Sequence, residues 1–109
     1  MANIRSLDMQ FLDDLFEMHG GYVLKFSDRT FALFFEEELG INIDDPKYAT
    51  NGTSKGKRLR YFLQTSEIPL VVRTLTALWE YREALRLRAR EADKLQNARS
   101  RLDDLAWRR

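Results

Sequence analysis

The sequence predicts an all-α protein, a compact bundle of about four helices from which a long C-terminal helix extends. Apolar residues recur at the three- and four-residue spacing of amphipathic helices along most of the chain. In addition, residues 70–109 contain neither glycine nor proline, the residues that most often end a helix. The one short β-prone run, residues 22–26, has no clear second strand to pair with. We interpret that run as a buried extended connector.

The bulk composition limits the class of protein. The chain has 109 residues, of which 44% are hydrophobic and 12% are aromatic, which suits one domain with a modest core. It contains no cysteine, so disulfides and thiolate metal sites are excluded. No apolar run reaches the roughly 18 residues of a membrane helix, and the first ten residues lack the apolar stretch of a signal peptide. We therefore expect a cytoplasmic protein without membrane contact.

The first two helices are delimited by capping residues and glycines. Ser6 is the predicted N-cap of the first helix, which Gly20 ends, and Ser27 or Asp28 caps a second helix that Gly40 ends. Each helix carries one apolar stripe with helical spacing. The stripes comprise Leu7, Phe11, Leu12, Leu15, Phe16 and Met18 in the first helix and Phe31, Phe34, Phe35 and Leu39 in the second.

A loop with turn chemistry leads to a third helix that begins near Ser54. This helix contains the run SKGKRLRYF, in which four cations fall within six residues. At 100° per residue, its apolar residues lie on one side and Lys57 and Arg60 lie opposite, with Lys55 and Arg58 near the boundary. Ser66 is the predicted cap of a fourth helix. The core stripe of that helix is Ile68, Val71, Val72, Leu75, Leu78 and Trp79.

Beyond Trp79 the helical pattern continues, but its apolar side changes. Arg82 and Arg86 occupy the former apolar side, and a second stripe lies nearly opposite. One bundle cannot bury both sides, so we divide the chain into a helical bundle domain, residues 1–83, and a C-terminal extension or linker, residues 84–109. We expect the extension to pack on a second copy, a following domain or a partner protein; a chain that ends inside a longer helix is the alternative. The partner-helix stripe comprises Tyr81, Ala84, Leu95, Ala98, Leu102 and Leu105, at heptad-like spacing.

The charges are divided unevenly along the chain. Residues 1–50 carry 4 Lys and Arg against 10 Asp and Glu, whereas residues 51–109 carry 14 against 7. The two halves can neutralise each other internally, stack head to tail between copies, or offer the basic half to nucleic acid. The cations that we single out for contact with a partner or with nucleic acid are Lys55, Lys57, Arg58, Arg60, Arg86, Arg88 and Arg90.

No group of residues has the pattern of a catalytic, cofactor or metal site. The single histidine, His19, lies at the end of the first helix, where the helix dipole favours a cation. Glu36, Glu37 and Glu38 point in three directions around their helix and cannot converge on a metal. The run GTSKGKR lacks the glycine spacing and the Ser or Thr of a phosphate-binding loop. We therefore predict a protein that is not an enzyme and that has no cofactor.

Nucleic-acid binding is the second hypothesis. A helix-turn-helix does not fit, because about thirteen residues separate Gly40 from Ser54 and that motif needs a turn of roughly three or four. Non-specific contact with a phosphate backbone through the basic half remains as the alternative function.

Three stretches of the chain resemble an N-terminal domain of bacterial abortive-infection proteins, the type that precedes a HEPN-like effector domain. They are FLDDLFEMHGGYVLKFSDRTFALFFEEELGINIDDPKY, GTSKGKRLRYFL and LWEYRE, and the likeness covers about residues 7–83. The resemblance implies anti-phage defence, in which this domain regulates, assembles or targets an effector. No nuclease residue carries over, because a HEPN site needs an Arg close to its His and His19 has none beside it. The leading hypothesis is a non-enzymatic module for oligomerisation or effector coupling.

Overall fold

The computed structural model describes residues 3–107, except for the side chain of Trp107, and every regular element in it is helical. The prediction of an all-α fold is therefore confirmed, and residues 22–26 form a connector without a strand. Among the described residues, no helix is both long enough and apolar enough to cross a membrane. Five α-helices follow one another: α1 (Ser6–Leu15), α2 (Asp28–Leu39), α3 (Lys55–Thr65), α4 (Ile68–Ala89) and α5 (Ala98–Trp107).

The helix ends follow the capping residues in part. Ser27 and Thr30 form a reciprocal capping box at the start of α2, with the Thr30 amide donating to Ser27 Oγ at 3.1 Å. Gly40 ends α2 in the left-handed conformation. The predicted caps at Ser6 and Ser66 are wrong: α1 begins at Ser6 itself after Arg5, α4 is preceded by Glu67, and neither helix has a side-chain cap.

The core is rich in phenylalanine, and aromatic contacts join most of its elements. Phe35 of α2 meets Phe62 of α3 edge-on at 5.2 Å between ring centroids, and Tyr48 contacts the same Phe62 ring at 5.4 Å. Phe26 of the connector stacks on Tyr81 of α4 at 4.2 Å. Such pairs contribute about 0.5–1.5 kcal/mol each beyond the area that they bury. The connector is therefore fixed to α4 as well as to α2.

The prediction of a long C-terminal helix is wrong. Helix α4 ends at Ala89, Arg90 adopts a left-handed conformation with φ of 57°, and α5 is a separate helix of 10 residues. Ala98, Leu102 and Leu105 of α5 are buried in the same hydrophobic core as α1 to α4. The core therefore extends across the predicted domain boundary at residue 83. These three residues pack on helices of their own chain and not on an outside partner.

Helix α5 returns to the bundle because the Arg82 guanidinium holds the connection after α4, in an arrangement that we name the Arg82 clamp. Arg82 lies on the side of α4 that carries the core stripe up to Trp79. Its two terminal nitrogens donate to the Asp93 carboxylate at 2.7 and 3.0 Å. Its Nε donates to the Leu15 carbonyl at the end of α1 at 2.9 Å. Arg86 donates to the Glu91 carbonyl at 3.0 Å. Side chains of α4 therefore hold residues 91–93 against the bundle and direct the chain backwards.

Candidate interaction surfaces

The basic run of α3 divides into a buried side and a surface side, as its spacing predicts. Leu59, Phe62 and Leu63 are fully buried, and Ser54 caps the helix by accepting from the Lys57 amide at 3.2 Å. The Lys57 side chain is exposed and has no hydrogen-bond or ion-pair partner within residues 3–107. Of the four cations in the run, Lys57 alone is free in this part of the chain.

Arg58 lies inside the protein instead of at the boundary, and its role in partner contact is corrected accordingly. Its side chain is 8% exposed and donates to the Thr53 carbonyl at 3.0 Å and to Asp44 at 2.9 Å. The guanidinium also lies 5.4 Å from the centroid of the Phe31 ring and 3.4 Å from Asp28. The long arginine stem allows a residue at the boundary of the helix to reach the loop before α3, so Arg58 holds that loop.

Two further cations of the run are paired with the acidic half of the chain. Arg60 is half-buried; its Nε donates to Asp13 of α1 at 3.0 Å and its Nη2 donates to the Met18 carbonyl at 3.3 Å. The Lys55 ammonium lies 3.7 Å from Asp28 and 5.5 Å from the centre of the Tyr22 ring. These contacts, with those of Arg58, realise the internal neutralisation that the charge division allows.

The arginines at the end of α4 also divide into a paired side chain and free side chains. Arg86 donates to Glu83 at 2.6 and 3.1 Å, and this hydrogen bond is the main reason that the pKa of Glu83 is lowered from 4.5. Arg88 and Arg90 are exposed, and neither side chain has a partner among residues 3–107. The predicted cations that remain free in the described chain are therefore Lys57, Arg88 and Arg90.

The partner-helix stripe is divided between the core and the surface. Ala98, Leu102 and Leu105 are buried, Tyr81 and Leu95 are partly buried against the core, and Ala84 is exposed. Ala84 is therefore the one residue of the predicted stripe that is exposed to a partner.

Two surface leucines stand among charges of opposite sign. Leu87 is 66% exposed on α4, and with the exposed residues Ala84, Arg88 and Arg90 it forms what we name the basic α4 surface. Leu33 is 48% exposed on α2, and with Glu36 and Glu37, three and four residues later, it forms the acidic α2 surface. The Glu36 and Glu37 carboxylates have no ion-pair partner in the described part of the chain. Exposed charges of the opposite sign also lie nearby, Arg29 four residues before Leu33 and Glu91 four residues after Leu87, so the two surfaces are complementary in their most abundant charge and not in every residue.

The described residues also include an open groove and a paired histidine. A groove of about 400 Å³ between α1 and α5 is open to solvent, and the Arg101 guanidinium within it lies 4.3 Å from the centroid of the Phe11 ring. His19 pairs with Asp14 at 3.0 Å, and both side chains are exposed. Residues 3–107 contain no cluster of three His, Cys, Asp or Glu side chains suited to a metal ion. The groove is lined by Leu7, Asp8, Gln10, Phe11, Asp14, Arg101 and Asp104.

Sequence reasoning did not identify the acidic α2 surface as a site. The spacing of Leu33, Glu36 and Glu37 on one face was readable from the sequence, but one exposed leucine is common on helix surfaces. Its role as a contact surface depends on the second exposed leucine, Leu87, which lies near the helix end at Arg90, and that helix end was not predicted.

Comparisons of this chain with protein-family models, with curated proteins and with solved structures found no match. The resemblance to abortive-infection proteins therefore stays a prediction from the residues that carry it. The exposure of Leu33 and Leu87 and the charges beside them are the observations from which we infer a function.

Proposed function

We propose that this domain is a non-enzymatic interaction module of a bacterial anti-phage defence protein, and that it self-associates or couples to an effector. The observation that supports the interaction role is the pair of exposed leucines in opposite charge surroundings, Leu33 on α2 and Leu87 on α4. The defence setting rests on the resemblance of residues 7–83 to abortive-infection proteins. The proposed partner of the basic α4 surface is an acidic protein surface.

The acidic α2 surface of a second copy meets this requirement. Contact between the two surfaces would bury both leucines and would bring the Glu36 and Glu37 carboxylates near Arg88 and Arg90. Burial of the leucines supplies affinity, and the charges at the rim supply orientation and a faster encounter. Because the two surfaces differ, the contact is either made twice in a two-fold dimer or made head to tail in a ring or an open chain. A contact centred on one leucine from each copy is weak, so we expect association only at high protein concentration.

The experiment is sedimentation of the 109-residue chain over a concentration series at low and at high salt. We expect the wild-type chain to associate at low salt, and Arg88→Glu and Glu37→Lys to reduce association when each variant is measured alone. Mixing the two variants restores association, because each supplies the surface that the other has lost. Lys57→Glu makes the same charge change at a free cation outside both surfaces and should leave association unchanged. A monomer at every concentration contradicts self-association.

Nucleic-acid binding is the second candidate, because Lys57, Arg88 and Arg90 are free cations within the described chain. With three phosphate contacts, the slope of log affinity against log salt would be about −2 to −3. A titration with a short single-stranded oligonucleotide at two salt concentrations tests this. Tight binding at low salt that Lys57→Ala and Arg88→Ala weaken would favour this function over protein association.

A further inference from the structure

The connection between α4 and α5 has the composition of a helix interior, yet it is not helical. Six of the eight residues 90–97 are Arg, Glu, Ala, Lys, Leu or Gln, which are strong helix formers. In the structure, Arg90 and Asn97 both have positive φ, at 57° and 54°. A left-handed arginine is unfavourable because its Cβ approaches the backbone. Local preference and tertiary structure therefore disagree at this connection.

Contacts from α4 hold the connection in its turned form. The Arg82 guanidinium binds both oxygens of Asp93, and Asp93 Oδ1 also accepts the Leu95 amide at 3.0 Å. Arg86 donates to the Glu91 carbonyl. The turned form depends on these few polar contacts, since the residues themselves favour a continuous helix.

Helix α5 covers a receptor surface made by α1 and α4. Leu102 and Leu105 are buried there in the common core. The Arg101 guanidinium lies over the Phe11 ring of α1 at 4.3 Å, and that of Arg99 lies over Trp79 of α4 at 5.6 Å. An identical helix from a second copy can make every one of these contacts.

We propose that α5 exchanges between two copies of the chain, so that α5 of each copy occupies the α1–α4 receptor surface of the other. In the exchanged dimer, residues 90–97 continue α4 into α5, and only the connection changes conformation. A helix from residue 68 to residue 107 would be about 60 Å long at 1.5 Å per residue, against 36 Å for the longest extent of the closed chain. This inference goes beyond the proposed function because it uses a different surface, and either one can fail alone.

Two hinge variants move the equilibrium in opposite directions. Asp93→Ala removes the acceptor of the Arg82 clamp and of the Leu95 amide, and it favours the continuous helix. Arg90→Gly removes the left-handed penalty and weakens a continuous helix, which favours the closed chain by about ten-fold per hinge. Because the exchanged dimer has two hinges, Arg90→Gly should lower the dimer association constant by about a hundred-fold.

The test measures the distance between α1 and α5 within one chain. The chain has no cysteine, so Ser6→Cys on α1 and Ser100→Cys on α5, both at exposed positions outside the groove between the two helices, accept a donor and an acceptor dye. A trace of the doubly labelled chain is refolded from denaturant with a large excess of unlabelled chain at high concentration. We expect a dimer fraction with low energy transfer within the labelled chain, enlarged by Asp93→Ala in both chains and reduced by Arg90→Gly.

Two results would overturn the exchange. One is a dimer that keeps the high energy transfer of the monomer, because α5 would then remain on its own chain. The other is a monomer at all concentrations for the wild-type chain and for Asp93→Ala, with helical circular dichroism confirming that the variant is folded. The first result leaves charge-driven association intact, so the two proposals are distinguishable. A dimer that is lost in Arg88→Glu, while Asp93→Ala and Arg90→Gly leave the dimer fraction unchanged, would likewise count against exchange.

Discussion

Replacement of Arg58 by alanine tests whether the cations of the basic run are structural or free. The guanidinium makes hydrogen bonds of 3.0 Å to the Thr53 carbonyl and of 2.9 Å to Asp44. Loss of a bond to a carbonyl costs about 1 kcal/mol. Asp44 and Asp28 are 60% and 82% exposed and can return to water, so each pair contributes at most about 1 kcal/mol.

The stem of Arg58 adds an apolar contribution. Three buried methylene groups contribute about 0.8 kcal/mol each, and the cost of burying the charge in the wild-type protein offsets part of the total. We therefore expect Arg58→Ala to lower the free energy of unfolding by about 3 kcal/mol. For a domain of this size, that corresponds to a fall in Tm of about 12–24 °C. Arg58→Met keeps most of the stem and should lose about half as much.

The assay is urea unfolding followed by tryptophan fluorescence, with Lys57→Ala as the matched control. Lys57 is the neighbouring cation and is exposed without a partner in residues 3–107, so its removal should change the free energy of unfolding by less than about 0.5 kcal/mol. Equal stabilities of the Arg58→Ala and Lys57→Ala proteins would refute the assignment of Arg58 to the interior. A larger loss in Arg58→Met than in Arg58→Ala would refute the role given to the stem.

Two further predictions concern packing and pH. A Cβ at Gly56 would approach backbone atoms of Gly21 and Met18 at 3.3 Å, so Gly56→Ala should destabilise the protein by about 1 kcal/mol in urea unfolding although alanine favours helix. An equal or more stable Gly56→Ala protein would contradict this packing. The hydrogen bond from Arg82 lowers the pKa of Asp93 from 3.8, so its contribution is present above that pH and is lost as pH falls through the folded value. The stability advantage of the wild type over Asp93→Asn should therefore shrink below about pH 4, and a constant difference from pH 7 to pH 3 would contradict the clamp.

Much of the helical architecture was predictable because it depends on local patterns. The stripes of Phe31, Phe35 and Leu39 in α2 and of Leu59 and Phe62 in α3 have helical spacing, and all five residues are buried in the structure. Periodicity of this kind reports which side of a helix faces the core, whatever that side packs against.

The return of α5 was not predictable from the same signals. Residues 90–97 carry neither Gly nor Pro, and the turn at Arg90 is held by contacts between Arg82 and Asp93, eleven residues apart. Helical periodicity contains no information about such a pair. The prediction that the second apolar stripe packs outside residues 1–83 is wrong for Ala98, Leu102 and Leu105, which are buried in one core with residues of α1 and α4 of the same chain.

The pairing of acidic and basic residues was predictable from the sequence, but which cations remain unpaired was not. Charge counting indicated that acidic and basic halves could pair, and Asp13 with Arg60 shows that pairing at 3.0 Å. Which cations stay free depends on side-chain reach, because Arg58 and Lys57 are neighbours in sequence and yet one is buried and the other exposed.

The proposed contact between copies is tested most directly by sedimentation of an equimolar mixture of Arg88→Glu and Glu37→Lys chains at low salt. The proposed contact between the basic α4 surface and the acidic α2 surface predicts that each variant alone is largely monomeric and that the mixture associates. High salt should dissociate the mixture, because its charges are at the surface. A mixture that sediments as monomers, while the wild-type chain associates, would contradict the pairing of these two surfaces.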